Sequence, residues 1–195
     1  KLAVQGKKHK RAPQDIDIHP IITGHEFAGT IIKVGKKWQD QFKPGMRFAQ
    51  QPALNYKGSM ASPGYSYQFF GGDVTYCIFP HEVMELGALM PFDGDSFYKA
   101  SLGEPLSCSI GAMHAQYHPK QGVYQHEMGL KRGGTLIIMG GCGPMGLGAV
   151  SYACVCKYNP ARVVVTDVDD EKIARAKEVV SIEWAKENGV ELTEE

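Results

Sequence analysis

GGTLIIMGGCGPMGLGAVSYACVCKYNPARVVVTD, residues 133–167, decides the fold of this chain. Thr135-Leu136-Ile137-Ile138-Met139 is a continuous apolar run bounded by glycines, the pattern of a parallel strand buried on both faces. The loop Gly141-Cys142-Gly143-Pro144-Met145-Gly146 follows, then an apolar stretch from Met145 to about Lys157 suited to a helix. A second β-branched strand, Arg162-Val163-Val164-Val165-Thr166, ends at Asp167. Strand, glycine turn, helix, strand and acidic residue make a βαβ unit. The pattern GxGxxG is weak alone, and the order of elements around it makes it specific for a dinucleotide.

Each residue of that loop has a physical task. Gly141 permits the tight turn, Gly143 lets the backbone approach a pyrophosphate, and Gly146 lets helix and strand pack closely. Pro144 and Met145 open the helix, whose unpaired N–H groups and positive dipole end favour an anion. Asp167 stands about 20 residues past Gly146, where a carboxylate accepts hydrogen bonds from ribose hydroxyls. Its charge, with Asp169 and Asp170 nearby, repels a 2′-phosphate, so NAD(H) is expected in preference to NADP(H).

Downstream, an amphipathic helix is expected from about Asp170, and the chain ends in Glu191-Leu192-Thr193-Glu194-Glu195 with no strand to follow. Upstream, residues 116–132 read as a polar connecting segment broken by Pro119, Gly122 and Gly129. Glu104-Pro105-Leu106 opens a helical run through Ile110, Met113 and His114. From Ile21 to Pro80 the chain is mainly β: strands are expected over Phe27–Val34, Met46–Ala49 and Val74–Phe79. Gln50 to Gly72 reads as a long surface lobe rich in Pro, Gly, Ser and Tyr. The expected organisation is a β-rich domain over 1–115 and a nucleotide-binding domain over 116–195.

Composition narrows the function. The 195 residues carry 21 basic and 21 acidic side chains, a balance that gives no field to hold nucleic acid or an anionic membrane. The basic cluster Lys7-Lys8-His9-Lys10-Arg11 is either a solvated loop or a local anion or sugar-phosphate contact. Cys77, Cys108, Cys142, Cys154 and Cys156 show no CxxC spacing, which argues against a disulfide framework and fits a reducing cytoplasm. They are expected as small apolar packers, with Cys108, four residues after Glu104, as the exception. His114, His118 and His126 are expected at the surface or hinge.

His25 and Glu26, in Gly24-His25-Glu26, carry residue types that bind Zn²⁺. The stretch Gly24-His25-Glu26-Phe27-Ala28-Gly29-Thr30-Ile31-Ile32-Lys33-Val34-Gly35 resembles the GHExxGxVxxVG signature of zinc-containing medium-chain dehydrogenases, the alcohol and sorbitol dehydrogenase family. Lys43-Pro44-Gly45-Met46-Arg47-Phe48 and Gly72-Asp73-Val74-Thr75-Tyr76-Cys77 resemble its following strands, with Met46 in place of an aspartate. Glu104-Pro105-Leu106-Ser107 resembles the EPLS of its polyol branch. The aromatic lobe and the long connection over 116–132 look closest to L-sorbose-1-phosphate reductase-like members.

The resemblance implies an α/β plus β chain: a partial GroES-like catalytic domain, then the first half of a Rossmann doubly wound parallel sheet. It implies an NAD-linked, zinc-dependent oxidoreductase acting on a polyol, ketose or sugar phosphate, in a full-length homo-oligomer. His25, Glu26 and Glu104 are then the catalytic and metal residues, and Gly141, Gly143, Pro144, Met145, Gly146 and Asp167 the cofactor residues. The family's first zinc ligand, a cysteine, would precede Lys1, so truncation at both ends is expected. The lobe has no cysteine, so one catalytic zinc and no structural zinc are expected. Two other readings stay open: an inactive fragment that only binds dinucleotide, and a zinc-free quinone-reductase-type member.

Overall fold

A computed structural model describes residues 5–195. The chain divides into two compact units, one reaching to Glu104 and one of Pro105–Glu195. The division falls near the start of one helix, Gly103–His114, whereas the sequence expectation put it at that helix's far end.

The first unit is organised on a three-stranded antiparallel sheet of β1 (Ala28–Thr30), β2 (Arg47–Gln50) and β3 (Leu89–Pro91). Ala28 pairs with Ala49, and Phe48 with Pro91. Helix α1 (His81–Glu85) precedes β3, and α2 (Phe97–Ser101) follows it to pack on β1 and β2. The strands are too short to bury a continuous face, and aromatic side chains supply the core. Phe70 and Val83 are fully buried, with Phe42, Phe48 and Leu89 beside them. The Phe79 ring packs 4.5 Å from Phe70 and 4.9 Å from Phe48, in tilted and edge-on geometries that suit aromatic quadrupoles.

Two expectations for this unit need correction. Val74–Phe79 forms no strand: the backbone bends at Val74 and Thr75, and Val74, Tyr76 and Ile78 are exposed. The sheet's third strand is β3 instead, which takes the free edge of β2. The lobe from Gln50 to Gly72 is not simply surface, since Leu54, Ser62 and Phe70 are buried in it. Its backbone is satisfied locally and by neighbouring loops, as in Ile22 N–H donating to the Tyr67 carbonyl.

The second unit holds a three-stranded parallel sheet in the order β6 (Thr135–Met139), β7 (Arg162–Thr166), β8 (Glu191–Glu194). Between the strands lie α4 (Pro144–Val155), α5 (Asp170–Val179) and α6 (Ile182–Glu187); most of α3 (Gly103–His114) also belongs here. Asp169 caps α5 by accepting from the Glu171 and Lys172 N–H groups, and Ser181 caps α6 by accepting from Trp184. Val150, Ala153, Val163, Val165, Ala176 and Ala185 are fully buried and form the core. Small side chains dominate because helices must lie close on the strands.

Three differences from the sequence expectation stand out here. β6 is buried on one face only: Leu136 is buried, while Ile137 and Met139 are 61% and 84% exposed. Residues 116–132 contain a hairpin of β4 (Tyr117–Pro119) and β5 (His126–Met128). The terminal Glu191–Glu194 is itself the third parallel strand, hidden in the sequence by its charge. No helix among the described residues is long and apolar enough to cross a membrane.

Candidate functional site

In the first unit His25, Glu26 and Glu104 come together. One ligand atom from each lies within 4.8 Å of the others, and His25 Nε2 is 3.8 Å from Glu26 Oε1. His25 and Glu104 are half-buried and Glu26 is exposed. An imidazole nitrogen and two carboxylate oxygens are a donor set suited to Zn²⁺, leaving a further coordination position open. The spacing is slightly wider than an occupied tetrahedral site, within reach of side-chain rotation. The residues present therefore fit the ion.

The local backbone explains the position of His25. Gly24 has φ +84°, and a Cβ there would meet the Asp73 side chain at 2.8 Å, so only glycine fits. Its carbonyl accepts from Gly72 N–H at 2.8 Å, while Thr23 accepts from Asp73 N–H at 3.0 Å and its hydroxyl donates to the Asp73 carboxylate. The Gln50 side-chain amide donates to the His25 carbonyl; Gln50 is buried at the end of β2. The His25 ring packs against Tyr65, centroids 5.1 Å apart, and Tyr65 stacks on His9 at 4.8 Å and 15°. Gln50, Tyr65 and Asp73 were not singled out from the sequence. Their contacts are long-range and carry no spacing signal.

A separate apolar cavity of about 840 Å³ lies between the 27–38 and 71–79 segments. None of His25, Glu26 and Glu104 lines it, and the donor chemistry, not the volume, marks the candidate site. No disulfide joins the five cysteines, and Cys108 is exposed. Burial raises the thiol pKa of Cys77, and that of Cys154 to about 11.

In the second unit the glycine loop joins β6 to α4. A Cβ on Gly146 would sit 2.2 Å from the Gly141 carbonyl oxygen, and one on Gly141 would strike Ile138 and Val165 at 2.7 Å. Those two glycines are therefore required by packing between loop, helix and sheet. Gly143, the N-cap of α4, faces open space, and Pro144 takes the first turn. The Asp167 carboxylate accepts from Cys142 N–H at 3.3 Å and Val168 N–H at 2.9 Å, which holds it at the loop. His114 Nε2 is in hydrogen-bond contact with the Tyr152 hydroxyl, and His118 with the Gly129 carbonyl, so both serve packing within this unit.

Comparison with known proteins agrees with this architecture. Residues 3–90 match the family model described as "Alcohol dehydrogenase GroES-like domain". The chain is 50% identical over 192 residues to a mannitol-1-phosphate 5-dehydrogenase of Aliivibrio fischeri, covering 98% of this chain and 45% of that protein. It is 46% identical over 177 residues to an L-sorbose 1-phosphate reductase of Klebsiella pneumoniae, covering 91% of this chain and 43% of that one. The fold is similar to that of 2R,3R-butanediol dehydrogenase from Bacillus subtilis, with a TM-score of 0.62 at 21% identity, over 94% of this chain and 47% of that one. The chain thus spans under half the length of these relatives.

Proposed function

We propose, from the match of residues 3–90 to the alcohol dehydrogenase GroES-like family model, that the full-length protein is a zinc-dependent oxidoreductase. It transfers a hydride between NAD(H) and a polyol, ketose or sugar phosphate. The observation that carries this reading is the convergence of His25, Glu26 and Glu104, distant in sequence, with ligand atoms within 4.8 Å. The names of the relatives, a mannitol-1-phosphate dehydrogenase and an L-sorbose 1-phosphate reductase, support the substrate class.

His25 presents the imidazole, and Glu26 and Glu104 the carboxylates, that would hold one catalytic Zn²⁺. When bound, the ion supplies Lewis-acid polarisation of the substrate oxygen, and NAD(H) accepts or donates the hydride. Gln50 and Gly24 hold the His25 backbone and so set the direction of its ring. Gly141, Gly143 and Gly146, with Pro144 and Met145 opening α4, would hold the pyrophosphate of the dinucleotide, and the Asp167 carboxylate would accept hydrogen bonds from its ribose hydroxyls. Asp167, Asp169 and Asp170 repel a 2′-phosphate, which favours NAD(H) over NADP(H). The lobe contains no cysteine and provides no structural zinc site. The protein works as a cytoplasmic homo-oligomer.

Zinc content and NADH-linked turnover of the full-length protein test this. About one zinc per subunit is expected, and His25→Ala should lose both the metal and the activity. Full activity in metal-free protein would instead establish the zinc-free reading.

A further inference from the structure

The basic cluster Lys7–Arg11 is fastened beside the candidate metal site. Arg11 donates to the Met60 carbonyl at 2.8 Å, its own carbonyl accepts from the Ser66 hydroxyl at 2.6 Å, and its N–H donates to His9 Nδ1 at 3.2 Å. Ala12 behind it is buried. The His9 ring lies flat on Tyr65, and Tyr65 packs on His25. By those two separations the His9 ring is at most about 10 Å from the His25 ring. This basic turn is therefore tied to the site through Tyr65.

Its charges are not all internally matched. Lys7 pairs with Asp17 at 2.8 Å, and Arg11 is held by backbone carbonyl contact. Lys8 and Lys10 are exposed and have no ion-pair partner among the described residues. Lys8 and Lys10 flank His9, whose ring lies at most about 10 Å from the His25 ring, so the turn carries positive charge available to an anion on the far end of a substrate.

Resting on the dehydrogenase reading above, we propose that Lys8 and Lys10 bind the phosphate of a sugar-phosphate substrate whose reacting carbon lies at His25, Glu26 and Glu104. His9 and Arg11 act as positioning residues for this turn. Phosphorylated polyols are then preferred over their unphosphorylated counterparts through KM, because the phosphate contact is the same in ground and transition states.

The test uses the full-length zinc enzyme with mannitol 1-phosphate, mannitol, and inorganic phosphate as competitor. The Lys8→Ala/Lys10→Ala variant should raise KM for mannitol 1-phosphate by about 10- to 100-fold, the range for losing charge-assisted contacts. Its kcat, its KM for NAD(H) and its turnover of mannitol should stay unchanged, and inhibition by inorganic phosphate should weaken. Lys8→Arg/Lys10→Arg should restore most of the affinity. An unchanged KM for the phosphorylated substrate, equal losses on both polyols, or a rise confined to the KM for NAD(H) would overturn the proposal. A protein that holds zinc but oxidises neither polyol would overturn the dehydrogenase reading itself, which is a different result.

Discussion

The two units reach stability by different means. In the second, the backbone does much of the work: parallel strands pair in register from Thr135↔Arg162 to Met139↔Thr166, and small residues let helices lie close. In the first, strands of three or four residues provide little ladder, and rings of Phe27, Phe48, Phe70 and Phe79 hold loops together. The difference teaches where each unit is fragile. An aromatic cluster concentrates its contacts in a few large side chains, while a sheet spreads them over many small ones.

The largest expected effect breaks the aromatic side of this comparison. Phe70→Ala should destabilise the first unit by about 3–5 kcal/mol, the usual cost of emptying a fully buried phenylalanine site. Denaturant unfolding should show it, with zinc loss preceding loss of NADH binding in the second unit. Simultaneous loss of both would show that the units are not independent.

Gly146→Ala tests the backbone side. Its Cβ would meet the Gly141 carbonyl oxygen at 2.2 Å, a contact that cannot relax without moving the loop. NADH affinity, read by fluorescence titration, should fall by about tenfold or more, with the zinc content unchanged.

Val165→Ala removes two methyl groups from a fully buried strand position and should cost about 2 kcal/mol. A cost as large as that of Phe70→Ala would refute the view that the sheet distributes its stability.

The smallest effect concerns Glu194, buried on β8 with neither carboxylate oxygen hydrogen-bonded among the described residues. Burial raises its pKa above the ordinary 4.5, and Lys177 partly opposes this. A raised folded-state pKa means stability is fully present below about pH 4.5 and falls as pH rises through the higher value. Glu194→Gln should flatten that decline in thermal melts across the acid range. An unchanged slope would assign the pH dependence to other groups.

Legibility from the sequence followed the same division. β6, β7 and α4 were readable because a buried parallel strand and its helix have local patterns, and the glycine loop couples to them by fixed spacing. β8 was not, since Glu191 and Glu194 break the apolar run, and its strand identity comes from pairing with β7. In the first unit, β1 and β2 were legible near their turns, while Val74–Phe79 had strand composition without a strand partner. The candidate ligands His25, Glu26 and Glu104 were named through a family resemblance. Gln50 and Tyr65 were missed because nothing local distinguishes a glutamine or tyrosine that supports a histidine from one that does not.

By itself, then, the sequence determined the βαβ order, the glycine loop with Asp167, and which residue types were available for a metal. Only the tertiary structure decided that Glu104 reaches His25 and Glu26, that Tyr65 bridges His25 to a basic turn, and that β3 rather than Val74–Phe79 completes the first sheet. The physical reason is range. Periodicity and turn chemistry act over a few residues, whereas coordination, ring stacking and edge pairing join segments that only the folded chain brings together.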